Sequence, residues 1–277
     1  LFTTAPGAEG ITPDQYAALL IQPVQGESVA FQVATQITTE ATRTHLPIVQ
    51  EDTGAAWTRE GDEIPVEDAT LGEEIVTPAK VAGLTVVSSE LAEDSNPQAQ
   101  QIVGDGLARS IARQVDAAFF GRLPDPAPRG LEAVQGVTTV TAGKKWANLD
   151  PFLEAIAQAE TVGATLTSFT AHPTDALALA TLKEQTGSNR PLLGSDPTAP
   201  TRRVIAGVPL HVSSAVTPGT VWGLPKDRVF VVLRRDVKVD VSAEPFFTSD
   251  QVAVRGTCRI GFGHPHPAAI TRVTLTA

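Results

Sequence analysis

Between Glu51 and Glu74 the chain carries nine acids (Glu51, Asp52, Glu60, Asp62, Glu63, Glu67, Asp68, Glu73 and Glu74) against one base, Arg59, a net charge of −8. Within this segment the stretch "GAAWTREGDEIP" sets Trp57 among charges and glycine, too polar on both sides for a core strand. The flanks "HLPIVQ" and "EEIVTPAKVAGLTVVSS" have β-type composition and alternation. Residues 44–80 therefore read as one long β-hairpin with its tip near "EGDEIP". At ~3.3 Å per residue such a hairpin would reach roughly 50–60 Å. A compact chain of 277 residues has a radius of gyration near ~19 Å, so the arm projects beyond its own globule. An isolated two-stranded ribbon is marginal in water and has unpaired edges, so it needs a surface to rest on. A second copy of the chain is the simplest one, with Trp57 as anchor and the acids Glu60, Asp62 and Glu63 meeting bases there. The plainer alternative is a mobile acidic loop.

The rest of the chain is nearly neutral. Of 31 acids and 21 bases in all, 22 and 20 remain once residues 51–74 are set aside, and no basic face of the kind a nucleic-acid reader needs is evident. A hydrophobic content of 42% with 19% charged residues fits a folded globular protein. No apolar run approaches the ~18 residues of a membrane span, and no basic-then-apolar leader opens the sequence. The lone Cys258, in the strand-like "RGTCRIGF", excludes an internal disulfide and reads as a buried thiol. The chain contains no methionine and begins with the bulky Leu1, which fits either trimming of a longer precursor or a stretch of a longer chain.

Helical signals are clearest after Asn96. Pro97 occupies a first turn, Gly121 closes the end, and Val103, Leu107, Ile111, Val115 and Phe119 recur every four residues as one apolar stripe. Residues 97–120 thus form a helix of roughly 35 Å. Arg109 and Arg113 share a face partly off that stripe, with Arg122 and Arg129 just beyond. "PDPAPRG" at 124–130 breaks the chain. Two shorter helices are expected, one from Asp150-Pro151 burying Phe152, Ile156 and Ala159, the other from Pro173 carrying Leu177, Leu179 and Leu182 to Gly187. "ATLTSFTA" between them is a buried strand, and 187–201 a long polar loop. Strands follow at 204–213, 229–233, 237–242, 252–262 and 269–276. Near the start, residues 1–10 read as an irregular arm, "TPDQYAALLIQPV" as a short helix, and Val29 to His45 as strand. The class is α+β.

Catalytic and cofactor signatures are missing. "GDGLAR" at 104–109 has Arg109 at the third glycine position of a dinucleotide motif and lies inside a helix. His264 and His266 in "GHPHPAAI" have no adjoining third metal ligand and sit at a turn, while His45, His172 and His211 read as structural. The acids of 51–74 occupy a solvated loop, not a pocket that would raise a catalytic pKa. No catalytic, cofactor or metal residue is expected.

Taken together, "LPIVQEDTGAAWTREGDEIP", "VAGLTVVSSELAEDS", "ARSIARQVDAAFFGR", "PRGL", "VIAGVPLHVS", "VWGLPKDRVFVV" and "DQVAVRGTCRIGFGHPHPAAITRV" resemble the major capsid proteins of tailed bacteriophages, which share the fold named for phage Hong Kong 97. The likeness spans most of the chain and rests on apolar-polar pattern, not on a catalytic signature. It implies an N-terminal arm (1–43), an extended loop (44–80), a peripheral domain (81–130) with a spine helix at 97–120, an axial domain (131–242), and peripheral return strands (243–277). It also implies hexamers and pentamers closing an icosahedral shell around double-stranded DNA, without sequence-specific binding and without a membrane. Portal, scaffold, maturation protease and a cement protein are the partners it brings with it, assembly takes place in the bacterial cytoplasm, and the location is the virion. An encapsulin-type nanocompartment shell around a protein cargo is the alternative of the same fold; an enzyme of unknown chemistry is the alternative of another class. The inter-subunit residues expected on this reading are Trp57, Arg59, Glu60, Asp62, Glu63, Arg109, Arg113, Arg122 and Arg129.

Overall fold

The computed structural model describes residues 24–51, 59, 70–88, 97–185, 188–193, 203–242, 244 and 249–276. The segment expected to be helical at 12–24 lies almost wholly outside these residues, as do the expected cap Asn96 and most of the polar loop at 187–201. In chain order the elements are helix α1 (Val29–Val33), strands β1 (Thr35–Thr39), β2 (Thr44–Glu51), β3 (Thr70–Val76) and β4 (Ala79–Ser88), and helix α2 (Pro97–Phe120). There follow β5 (Thr138–Thr141), α3 (Asp150–Thr161), β6 (Ser168–Ala171), α4 (Pro173–Ala180), β7 (Val204–Ile205), β8 (Val208–Val212), β9 (Thr220–Leu224), β10 (Phe230–Ser242), β11 (Gln251–Gly263) and β12 (Thr271–Thr274).

Helix α2 organises one half of the molecule. Its 24 residues give about 36 Å at 1.5 Å per residue. Leu107, Ile111, Val115 and Phe119 are buried as the four-residue spacing requires, and Ala108, Ala112 and Ala118 widen the apolar face. That face packs on a four-stranded sheet of order β1-β10-β11-β4, whose Val231, Leu233, Cys258, Ile260 and Phe262 join it in one core with Phe31 and Val33 of α1. Cys258 is buried, as its strand context suggests.

A second core lies under a six-stranded sheet of order β5-β12-β9-β6-β8-β7. Phe152, Ala155 and Ala159 from α3 meet Phe169, Ala171, Val221 and Val273 there. Pro151 starts α3 where its missing N–H costs nothing, and β6 is buried at every position. Ile156, expected in the core, is only partly buried.

Several expectations need correction. Residues 29–33 are helical, not strand, because their first N–H groups have a distant acceptor described below. Helix α4 ends at Ala180, short of Gly187, and Leu177 is 59% exposed. Among the described residues the hairpin of 44–80 is paired over β2 and β3. Its register runs from Thr44↔Val76 to Glu51↔Thr70, and from Ala79 onward the chain pairs instead with β11. Sheet membership also crosses the expected 242/243 boundary. β10 belongs to the four-stranded sheet, and β12, expected to return there, pairs with β5 and β9 in the six-stranded one. Strand pairing over such separations is a tertiary choice that composition does not reveal. β5 and β9, four and five residues long, were not foreseen.

Candidate inter-subunit surface

The two arginines of α2 stand where the helix spacing puts them. Arg109 and Arg113 are exposed on one side of the helix and border a cleft of about 180 Å³, lined also by Glu27, Val29, Ala112, Asp116 and the 212–214 turn. Among the described residues neither makes an ion pair.

The floor of this cleft is Asp116, 7% exposed. Its carboxylate accepts from Ser28 Oγ (2.6 Å), Ala30 N (3.0 Å) and Val29 N (3.1 Å), and more distantly from Ser213 Oγ (3.5 Å). Burial pushes its pKa above the usual carboxylate value, and the hydrogen bonds from Ser28, Ala30, Val29 and Ser213 pull the other way. The carboxylate thus caps α1 from 86–88 residues away and ties α1, α2 and the turn after β8 together. This is why 29–33 is helix: the orphan N–H groups of the first turn find an acceptor on another element. Asp116 was not singled out in the sequence, although an acid one residue after Val115, beside the apolar stripe, was the available signal.

Arg122 and Arg129 do not extend the Arg109/Arg113 patch. Arg122 is exposed but lies 13 positions beyond Arg109, about 20 Å along the helix direction. Arg129 donates from Nε to the Ala133 carbonyl (3.1 Å) and stands near Glu74 and His264, whose pKa values both feel its charge. It faces the root of its own chain's hairpin. Arg59 is exposed; Trp57, Glu60, Asp62 and Glu63 lie outside the described residues.

The histidines take structural roles. His264 is 4% exposed, its ring 6.1 Å from that of Phe119. Burial, reinforced by Arg129, lowers its pKa to about 4, so it is neutral at pH 7. Burial also lowers the pKa of the partly exposed His266, with Arg228 acting in the same direction and Asp227 opposing. His172 caps α4 by accepting from Thr174 N at 3.3 Å. His45 meets Glu73 at 2.9 Å. Among the described residues no three His, Cys, Asp or Glu side chains cluster as a metal site would require, and no helix is long and apolar enough to cross a membrane.

With this geometry in place, the likenesses are specific. The sequence matches the phage capsid family over residues 9–275, whereas no curated protein matches it in sequence. In fold it is similar to a structure from Microbacterium phage Oxtober96, with a TM-score of 0.72 at 17% identity, covering 90% of this chain and 91% of that one. It is also similar to the capsid of an empty GTA particle, with a TM-score of 0.73 at 17% identity over 100% and 95% of the two chains. A virus-like particle from Pyrococcus furiosus shares the fold as well, with a TM-score of 0.65 at 13% identity over 92% and 96%.

Proposed function

The chain belongs to the phage capsid family, and from that premise we propose that it builds the icosahedral shell around the double-stranded DNA of a tailed phage. The coarser part of this reading follows from the family: it is a structural shell protein, not an enzyme, and it assembles with copies of itself into a capsid. The contact between copies that such a shell needs is supported by one observation. β2 and β3 form a two-stranded sheet of their own, joined by hydrogen-bonded pairing to neither larger sheet, and the most acidic stretch of the chain lies between them. A ribbon of this kind is stable only against another surface, and its charge selects a basic one.

On this reading the segment 52–69 of one subunit, which includes Arg59, reaches Arg109 and Arg113 of the next, with Trp57 as the apolar anchor. Hexamers and pentamers would share the contact, so a modest exposed pair of ~0.2–1 kcal/mol is repeated throughout the shell. Portal, scaffold, maturation protease and cement protein are the accessory partners such a shell takes, and assembly would occur in the bacterial cytoplasm. A nearly neutral body suits the enclosure of DNA, because a strongly basic lining would hold the incoming phosphates.

The likeness to the Pyrococcus furiosus particle favours one further reading, a nanocompartment of the same fold enclosing protein. Electron microscopy of particles purified from infected or expressing cells, with nuclease protection and protein analysis of their contents, separates the two. Closed shells with protected double-stranded DNA support the genome reading; shells holding only a second protein support the compartment. A folded monomer that never closes into particles overturns both.

A further inference from the structure

The hairpin touches its own body at a small, well-defined seat. Leu46 of β2 and Val76 of β3, 6% and 4% exposed, pack on Val232 of β10, with Ile37 and Phe230 at the edge. β11 passes beneath them, and its register sets Gly261 opposite Val232 and Gly263 opposite Phe230. A Cβ on Gly261 would lie 2.6 Å from Val76 Cγ1 and 3.2 Å from Pro78 Cα; one on Gly263 would lie 2.3 Å from Leu46 Cδ1 and 3.1 Å from Val76 Cγ2. Two glycines at alternate positions of one strand share a face, so the ribbon rests on a patch of bare backbone.

One polar contact completes the seat. Glu74, on the same side of β3 as Val76, accepts at Oε2 from the backbone N–H of His264 at 2.7 Å, across 190 residues. Its neighbour Glu73 points the other way, 57% exposed, and pairs with His45 of β2. That contact lies inside the ribbon and cannot set the ribbon's angle on the body. The Glu74 contact can, because it joins the ribbon to the residue that follows β11, across the Thr77-Pro78 link about which the ribbon would turn.

We infer that Glu74 is a positioning residue: a latch that, with the Gly261/Gly263 seat, holds the extended hairpin at one angle to the body of its own subunit. Burial raises the Glu74 pKa above the usual carboxylate value, while the His264 N–H and Arg129 draw it down, so the contact exchanges water for a directed bond. From Val76 to Thr70 the strand spans about 20 Å, and a swing of ~20° at the root moves Thr70 by ~7 Å. An acidic tip beyond Thr70 would move further, so the latch decides where the hairpin points. It rests on contacts within one chain and is tested without assembly, so its failure leaves the shell reading standing.

The test uses the unassembled full chain with spin labels at Thr70→Cys and Lys145→Cys, the buried Cys258 remaining unlabelled. The unaltered latch gives one narrow distance distribution. Glu74→Leu shifts or broadens it by several ångström and speeds exchange of the His264 amide about tenfold. Glu74→Gln, whose amide oxygen still accepts from that N–H, keeps the narrow distribution. Glu73→Leu, which alters charge on the same strand but off the seat, also keeps it. The inference is overturned if Glu74→Leu leaves both the distances and the exchange unchanged, or if Glu73→Leu broadens them equally. Should Glu74→Leu not fold, Gly263→Ala serves in its place. With Glu74 intact it displaces the mean distance, and an unmoved distribution there refutes the seat.

Discussion

Replacing Asp116 by alanine removes the acceptor of three close hydrogen bonds and a longer fourth. The Val29 and Ala30 N–H groups are fixed by the backbone of α1 and cannot turn to another acceptor. An orphaned buried donor costs ~1–3 kcal/mol, and loss of a helix cap costs ~0.5–2 kcal/mol. Relief of the carboxylate's own desolvation offsets part of this, leaving a net loss of about 2–4 kcal/mol. At roughly 2–4 °C per kcal/mol for a chain near this size, the melting temperature falls by roughly 5–15 °C. Urea unfolding of the unassembled subunit, with hydrogen exchange over residues 28–34, is the assay. The amides of Val29 and Ala30 should lose protection before the rest of the core. The sign with pH is fixed as well. A folded pKa raised above the ordinary 3.8 gives a favourable contribution that is full below 3.8 and is lost as pH rises through the folded value. The advantage of wild type over Asp116→Asn should therefore widen as pH falls toward 3.8. A loss under ~0.5 kcal/mol in Asp116→Ala, the range of an ordinary surface change, with α1 still protected, would refute the capping argument.

Three further outcomes are expected. His264, lowered from 6.5 to about 4, contributes stability that is present above 6.5 and lost as pH falls toward 4, by about 3 kcal/mol in all; His264→Phe should flatten the urea midpoint across that window, and an unchanged slope would count against the buried neutral ring. Arg109→Glu with Arg113→Glu leaves the subunit folded, because both side chains are exposed, but adds charge beside Glu27 and Asp116 and should abolish shell formation; normal shells at ordinary salt would assign the contact to Trp57 and backbone pairing. A covalent isopeptide join between subunits would need a loop lysine facing a neighbour's asparagine, but no lysine occurs in residues 51–79 and the asparagines are Asn96, Asn148 and Asn189, none in the C-terminal strands; mature particles should therefore run as single subunits on a denaturing gel, and a ladder of covalent multimers would overturn that.

Helix α2 was legible because its signals are local: Pro97 at one end, Gly121 at the other and an apolar residue every fourth position between. β2 and β3 were legible from alternation, and β6 from the β-type "ATLTSFTA" set between two helical segments. α1 was not, since its cap comes from Asp116, and a side chain 86–88 positions away leaves no trace in the window around Val29. β9 was hidden for another reason: "TVWGL", between Gly219 and Pro225, has the punctuation of a turn. The expected contact residues divide in the same way. Helical spacing alone puts Arg109 beside Arg113, whereas only the fold shows that Arg129 belongs to the hairpin root and that Glu74, counted among nine surface acids, reaches the backbone amide of His264 just after β11.

The pairing of β12 with β5 bears on when the protein becomes able to associate. Thr271 lies opposite Thr138, so a ribosome that has finished β5 must add about 130 more residues before that strand acquires its partner, roughly 6–26 s at common synthesis rates. Throughout that interval the six-stranded sheet has an open edge and an unfinished core. Because closure waits for β12, nascent chains in which only β5 has emerged do not yet present a finished six-stranded sheet to one another. The order of synthesis thus separates folding from shell building in time.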